Sequence, residues 1–270
     1  MTIVRRNLHF FRVVHSICSM LMSRNYSVCL QSFISSTKSF QILNLSSRPL
    51  SSETLYILDS SFNPPTRAHL ALSLCSLPTQ RPSTVVLLLS IENADKLSKP
   101  ASFDHRLEMM ELLAKRIERF KQEVGALVAL SKRPKFVDKA KDVIEAFPKV
   151  QEVDWLVGYD TLIRILDKKY YTDSLENSLS AFWEKNRLIC AMRGDETVER
   201  AYLDTIRAGM VDGVPKSWAR YIKIIDPVGK EHSSTRARKA VCKGELEELA
   251  RVVPEDIAEY IRSKNLYREE

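Results

Sequence analysis

Leu55-Tyr-Ile-Leu-Asp-Ser-Ser-Phe-Asn-Pro-Pro-Thr-Arg-Ala-His-Leu70 reads as three pieces in a row. Leu55 to Leu58 is a short apolar run, fit for a buried strand. Asp59, Ser60, Ser61, Asn63, Pro64 and Pro65 are turn and cap residues. From Thr66 onward the spacing predicts a helix, with Leu70, Leu74 and Leu77 on one face. Strand, tight polar turn and helix is where an α/β protein holds a phosphate, because turn amides and the helix N-terminus point at it. Thr66 and His69 share a helical face. That sets a hydroxyl and an imidazole beside the turn amides of Ser60, Ser61 and Phe62. The plain structural alternative is a strand-turn-helix whose His caps a carbonyl.

The pattern repeats along the chain. Val85–Leu89, Leu127–Leu130, Val153–Val157, Arg187–Met192 and Tyr221–Ile225 are further apolar strand runs, each separated from the next by helical sequence. Six runs alternating with helices predict an α/β fold: a doubly wound, mostly parallel sheet in one domain. The polar candidates fall just after strands, in the crevice where such sheets bind ligands. Gly158 and Asp160 follow the fourth run. Glycine lets the backbone approach a ligand, and a carboxylate at a helix start takes ribose hydroxyls or caps the helix. His232-Ser-Ser-Thr-Arg-Ala-Arg238 follows the sixth run. Ser233, Ser234 and Thr235 either cap a surface helix or offer hydroxyls to a phosphate, with Arg238 on the same face as Ser234.

Charge narrows the function classes. The chain has 270 residues and a net charge of +7, which invites a nucleic-acid reading. Yet residues 1–52 contain no Asp or Glu and hold Arg5, Arg6, Arg12, Arg24, Lys38 and Arg48. Without those six, 35 basic residues face 34 acidic ones. The basicity belongs to the N-terminus, and no aromatic-basic stripe supports nucleic-acid binding. No apolar run approaches the roughly 20 residues of a membrane span. Five cysteines (Cys18, Cys29, Cys75, Cys190, Cys242) show no Cys-x-x-Cys, so neither a disulfide framework nor a zinc site is predicted. Cys75 and Cys190 fall in apolar runs and are expected in the core. The dispersed histidines give no His-based metal site.

Ser61-Phe-Asn-Pro-Pro-Thr-x-x-His69 resembles the N-terminal signature of the nicotinamide mononucleotide (NMN) adenylyltransferases, in the HxGH nucleotidyltransferase superfamily. The wording from Leu58 to Pro65 is similar to a divergent fungal branch, the promoter-of-filamentation type. Asn93-Ala-Asp-Lys96, with the Pro-Ala-x-x-x-His-Arg block that begins at Pro100, resembles a second block of that family, in which a loop lysine meets the nucleotide phosphates. Gly158-x-Asp160 resembles its second nucleotide-binding turn, and Ser233-Ser-Thr-x-x-Arg238 its closing signature on the triphosphate. The likeness runs over roughly residues 55–265.

The resemblance implies a Rossmann-like fold and the reaction ATP + NMN → NAD + pyrophosphate, by direct in-line attack with no covalent enzyme intermediate. It implies His69, Lys96 and Arg238 as the charge-stabilising set. Ser60, Ser61, Phe62, Thr66, Ser233, Ser234 and Thr235 belong to the ATP phosphates. Gly158, Asp160 and a ring-stacking Phe136 hold nucleosides. Mg²⁺ is expected to arrive with ATP, with no dedicated metal cage. Two departures, Ser60 for the family's Gly and His232 for its usual aliphatic residue, leave a second reading open. That is a divergent ATP-binding or ATP-hydrolysing regulator without NAD synthesis.

The domain plan is an N-terminal stretch of residues 1–25, a helix and linker over 26–54, and a nucleotidyltransferase domain over 55–270. Residues 29–45 are read as a helix outside the sheet. The stretch 1–25 is acid-free and Arg-bearing, with apolar residues around a helical repeat. That is the composition of a mitochondrial presequence. A simple tail, or a start at Met20 or Met22 with a cytoplasmic and nuclear protein, is the alternative. A reporter fused to residues 1–25 is expected in mitochondria. Diffuse cytosolic and nuclear signal in fluorescence microscopy refutes the presequence reading.

Overall fold

The computed structural model describes residues 25–44, 46–48, 50, 53–78, 81–91, 100–192, 195–226, 229 and 231–268. The chain divides after Ser36 into two compact units. In the first, helix α1 (Tyr26–Ser35) starts at Asn25, whose side chain accepts the Val28 N–H at 3.2 Å. The presequence-like stretch, apart from Asn25, lies outside the described residues.

The second unit is built on a seven-stranded sheet. Its elements are β1 (Phe40–Ile42), β2 (Thr54–Asp59), α2 (Arg67–Cys75), β3 (Ser83–Ser90), α3 (Phe103–Phe120), β4 (Val124–Ser131), α4 (Phe136–Ala146) and β5 (Glu152–Gly158). Then come α5 (Tyr159–Ile165), α6 (Leu175–Trp183), β6 (Asn186–Ala191), α7 (Glu196–Arg207), β7 (Ile222–Ile225), α8 (Ser234–Cys242), α9 (Leu246–Val252) and α10 (Glu255–Ser263). The strand order is β1-β4-β3-β2-β5-β6-β7. β2 to β7 run parallel, and they are the six strands the sequence predicts.

β1 is the exception. It pairs antiparallel with β4, Phe40 opposite Ser131 and Ile42 opposite Ala129. The predicted helix over 29–45 therefore stops at Ser35. Phe40 and Ile42 pack against the main core, and β1 covers what would be an open sheet edge at β4. Three residues carry too short an alternation to show a strand in sequence. Asn44 fastens the connection, accepting the Val128 N–H and donating to the Ala126 carbonyl across β4.

Side-chain alternation along the strands makes two layers. Leu55, Ile57, Val86, Leu88, Leu127 and Trp155 face a core closed by α4, α5, α6 and α7. The opposite face takes α2 and α3. Trp155 is fully buried, and its indole N–H donates to Asn186 at 2.8 Å. Of the two cysteines expected in the core, Cys190 is buried, but Cys75 is exposed because it ends α2. Strand order reverses between β3-β2 and β2-β5, so a crevice opens at the carboxyl ends of β2 and β5. No described helix is long and apolar enough to cross a membrane.

One strand residue opposes the fold. Asp154 in β5 lies in register with Tyr56 of β2. Burial, then the neighbouring Glu152, pushes its carboxyl up to about 6, against the pull of Arg187 and Lys223. A folded-state value above the unfolded one means the folded chain holds the proton more tightly. Stability therefore falls as pH rises through the window from about 4 to about 6 and is flat above it. Asp154→Asn should remove this slope and stabilise the protein at pH 7.5 by ~1–2 kcal/mol, allowing for the water that reaches the carboxyl. Urea unfolding at pH 4.5 and 7.5 checks it.

Candidate active site

The turn after β2 sets the site. The Ser60 N–H donates to the Leu88 carbonyl at 3.2 Å, prolonging the β2–β3 pairing by one residue. Ser60, where the family has Gly, keeps an ordinary backbone. The left-handed residue is Phe62, at φ 45°. Its ring is fully buried, 5.2 Å from the His69 ring, so the Phe62 side chain packs on the histidine and only its backbone amide could meet a ligand. The Asn63–Pro64 bond is cis.

Thr66 then caps α2 in a capping box whose other partner is His69, at the third helical position. The Thr66 N–H donates to His69 Nδ1 at 3.0 Å. Thr66 Oγ1 lies 2.9 Å from the same nitrogen and gives its one proton to the His232 carbonyl at 3.0 Å. Nδ1 is thus an acceptor, and the proton of a neutral ring sits on Nε2. Nε2–H in turn donates to Ser60 Oγ at 3.0 Å. Capping and a site role do not compete here. The cap fixes the tautomer, and the other nitrogen faces the turn.

The closing motif meets this turn. Ser233 caps α8, accepting the Arg236 N–H at 3.1 Å. Ser234 donates to the Pro64 carbonyl at 2.8 Å, and Arg238 to the Asn63 carbonyl at 2.9 Å. Arg238 also donates to Thr235 Oγ1 at 3.3 Å, and the buried Tyr267 hydroxyl to Asn63 Oδ1 at 2.8 Å. The family resemblance assigns Ser234 and Arg238 to a triphosphate. In the folded chain both are hydrogen-bonded to the backbone of the first motif. Gly229, at φ 60°, brings the incoming loop so close to α2 that a Cβ would lie 2.8 Å from Ala68 Cα.

Two adjoining cavities result. The first, about 310 Å³, is lined by Ser60, Ser61, His69, Gly158, Asp160 and Ser233 to Thr235, with His232. The starts of α2, α5 and α8 converge on it, which suits an anion. The second, about 630 Å³, shares Asp59, Ser60, Ser61 and Thr161 with the first. Phe136, Tyr170 and Tyr171 line it, with Lys135, Lys139 and Arg164. Burial, with Asp138, pushes the Tyr171 hydroxyl up to about 12, so it stays protonated and donates to the Ile165 carbonyl at 2.8 Å. Lys96 lies outside the described residues.

Several groups escaped the sequence reading. Lys139 and Asp59 form a buried ion pair, with Lys139 Nζ 5.1 Å from the Phe136 ring centre. Their positions, 80 residues apart, give no sequence signal. Arg106 is buried near Arg238 and Tyr267, and burial lowers its pKa. His232 Nε2 sits 2.8 Å from Glu231, and its Nδ1 is buried without a partner among the described residues.

The sequence profile described as cytidylyltransferase-like matches residues 57–240. This chain belongs to that nucleotidyltransferase family. Within it, a Schizosaccharomyces pombe protein named "Putative nicotinamide mononucleotide adenylyltransferase" is 38% identical over 254 residues, covering 91% of this chain and 98% of that one. The Plasmodium falciparum nicotinic acid mononucleotide adenylyltransferase complexed with APC superposes at a TM-score of 0.55 and 20% identity, over 79% of this nucleotidyltransferase and 96% of that chain. The same enzyme complexed with NaAD gives 0.55 and 19%, over 80% and 97%. These structural matches carry the fold.

The ordinary backbone at Ser60 decides how this departure from the family behaves. Ser60→Gly should leave nucleotide affinity within a few-fold of the parent or raise it, since no strain is relieved. Ser60→Val should block ATP binding, because a branched side chain fills the space between the turn and His69. Calorimetric titration with ATP is the check, and normal binding by Ser60→Val would show that the phosphates do not lie on this turn.

Proposed function

We propose that the chain transfers the adenylyl group of ATP to NMN, giving NAD and pyrophosphate. The observation that carries the proposal is the junction itself. Two cavities, one ringed by helix starts and hydroxyls and one lined by aromatic rings, share the turn Asp59–Ser61 that also holds His69. A reaction joining two nucleotides needs two sites that meet at one phosphorus atom.

In this reading ATP lies in the first cavity. Gly158 allows close approach, Asp160 takes ribose hydroxyls, and Ser233 and Thr235 meet the phosphates. NMN lies in the second cavity with its ring on Phe136. A phosphate oxygen of NMN attacks the α-phosphorus of ATP, and the bond to the β-phosphate oxygen breaks. The electron pair leaves on pyrophosphate, and no protein nucleophile is used. The protein aligns the two anions and stabilises the charge that spreads onto the leaving group. His69 Nε2–H, Ser60 and the helix starts serve that end. The family likeness adds Lys96. Arg238 acts through the Asn63 carbonyl, holding the turn in place.

No cluster of three metal-ligating side chains occurs among the described residues. Asp59 is engaged by Lys139, while Asp160 lines the first cavity. This donor set fits a Mg²⁺ that keeps phosphate and water ligands of its own. When bound, the ion neutralises phosphate charge.

Purified protein with ATP, NMN and Mg²⁺ should form NAD and pyrophosphate one for one. His69→Ala should lower turnover by ~10²–10³-fold, the effect of losing a ~3–4 kcal/mol transition-state donor, with unchanged circular dichroism. Ser60 and His232, the two departures from the resembled family, motivate one competing reading, an ATP-hydrolysing regulator. ADP formation with no NAD would establish that reading instead.

A further inference from the structure

The second cavity contains a selector. The substrates at issue, NMN and nicotinic acid mononucleotide, share a phosphate, a ribose and a positively charged pyridinium. They differ in one group on the ring, a neutral carboxamide or a carboxylate. Lys135 and Arg164 also line the cavity but are exposed, so water screens their pull on either ring substituent. Discrimination therefore rests on the buried groups around Phe136.

Those groups amount to no net charge. Lys139 is the buried cation there, and its side chain is only 5% exposed. Asp59, 10% exposed, neutralises it. A carboxylate entering such a pocket loses its water and gains no uncompensated buried cation, a cost a carboxamide does not bear. Asp59 also keeps Lys139 from repelling the pyridinium. Lining the same cavity is Ser90, at the end of β3, whose hydroxyl is buried and has no partner among the described residues. A hydroxyl both donates and accepts, which matches a carboxamide's oxygen and NH₂. A buried polar atom calls for a partner, and a ligand group in this cavity would supply one.

We infer that the Asp59–Lys139 pair and Ser90 make this enzyme select the neutral carboxamide, NMN, over the carboxylate. The inference rests on the proposed reaction and on the pyridine lying in this cavity. Asp59 and Ser90 are specificity-determining residues, one by cancelling charge and the other by a direct hydrogen bond.

The test is the ratio of kcat/KM for NMN to that for nicotinic acid mononucleotide, measured on the full chain. The parent should favour NMN by roughly tenfold or more. Asp59→Asn leaves Lys139 uncompensated and should move the ratio toward the acid by roughly tenfold. Asp59→Asn with Lys139→Met restores neutrality and should bring the ratio back. Ser90→Ala should lower kcat/KM for NMN and leave the acid nearly unchanged. If the Asp59 variants do not fold, Ser90→Ala carries the test, since removing a buried unpartnered hydroxyl spares the fold. A parent that prefers the acid, or active variants whose ratio does not move, overturns the selector and leaves the adenylyl transfer standing. Absence of a dinucleotide product from either substrate overturns both.

Discussion

Four hydrogen bonds tie the turn after β2 to the last fifth of the chain. Ser234 and Arg238 hold the Pro64 and Asn63 carbonyls, Tyr267 holds the Asn63 side chain, and Thr66 holds the His232 carbonyl. The sequence separations run from 166 to 204 residues. Each bond contributes about 1 kcal/mol net, but leaving one of these part-buried acceptors unmet costs about 1–3 kcal/mol. This seam joins the α8 start to the α2 start, and Phe62, left-handed and with its ring against His69, lies in the turn it holds.

The seam also changes what the polar motif residues do. A hydroxyl or guanidinium in a phosphate signature is easily read as a ligand contact. Here Ser234 and Arg238 give protons to backbone carbonyls, and His69 is fixed from one side by a helix cap. Rigid placement of donors is itself a catalytic contribution, because donors that need no reorganisation act most strongly on developing charge. Positioning and contact are thus divided among residues that look alike in a linear motif. Ser60, Ser233 and Thr235 line the cavity, Ser234 lines it while holding the Pro64 carbonyl, and Arg238 holds the wall behind it.

The same crevice holds Asp59 and Lys139, charges that a parallel sheet would normally keep out of its interior. Asp59 ends β2 at the point where strand order reverses, and Lys139 reaches it from α4 over the Phe136 ring. A buried pair of this kind contributes little to stability against an apolar replacement. Asp59 lines both cavities and Lys139 the second, which is where the proposed ligand selection acts.

The sequence by itself determined the six parallel strands, their helices and the crevice at their carboxyl ends. Each is a local matter of apolar period and turn residues, and β2 to β7 report it faithfully. It also determined the composition of the candidate site, since Ser60, Thr66, His69, Gly158, Asp160 and Ser233 are legible as short motifs. Tertiary structure alone decided β1, too short to show a period, and the position of the strained residue, at Phe62 and not Ser60. It decided the tautomer of His69, the pairing of Asp59 with Lys139 and the backbone role of Arg238. These depend on atoms brought together across 80 to 175 residues, and a linear pattern records which groups are present without recording which of them are satisfied by one another.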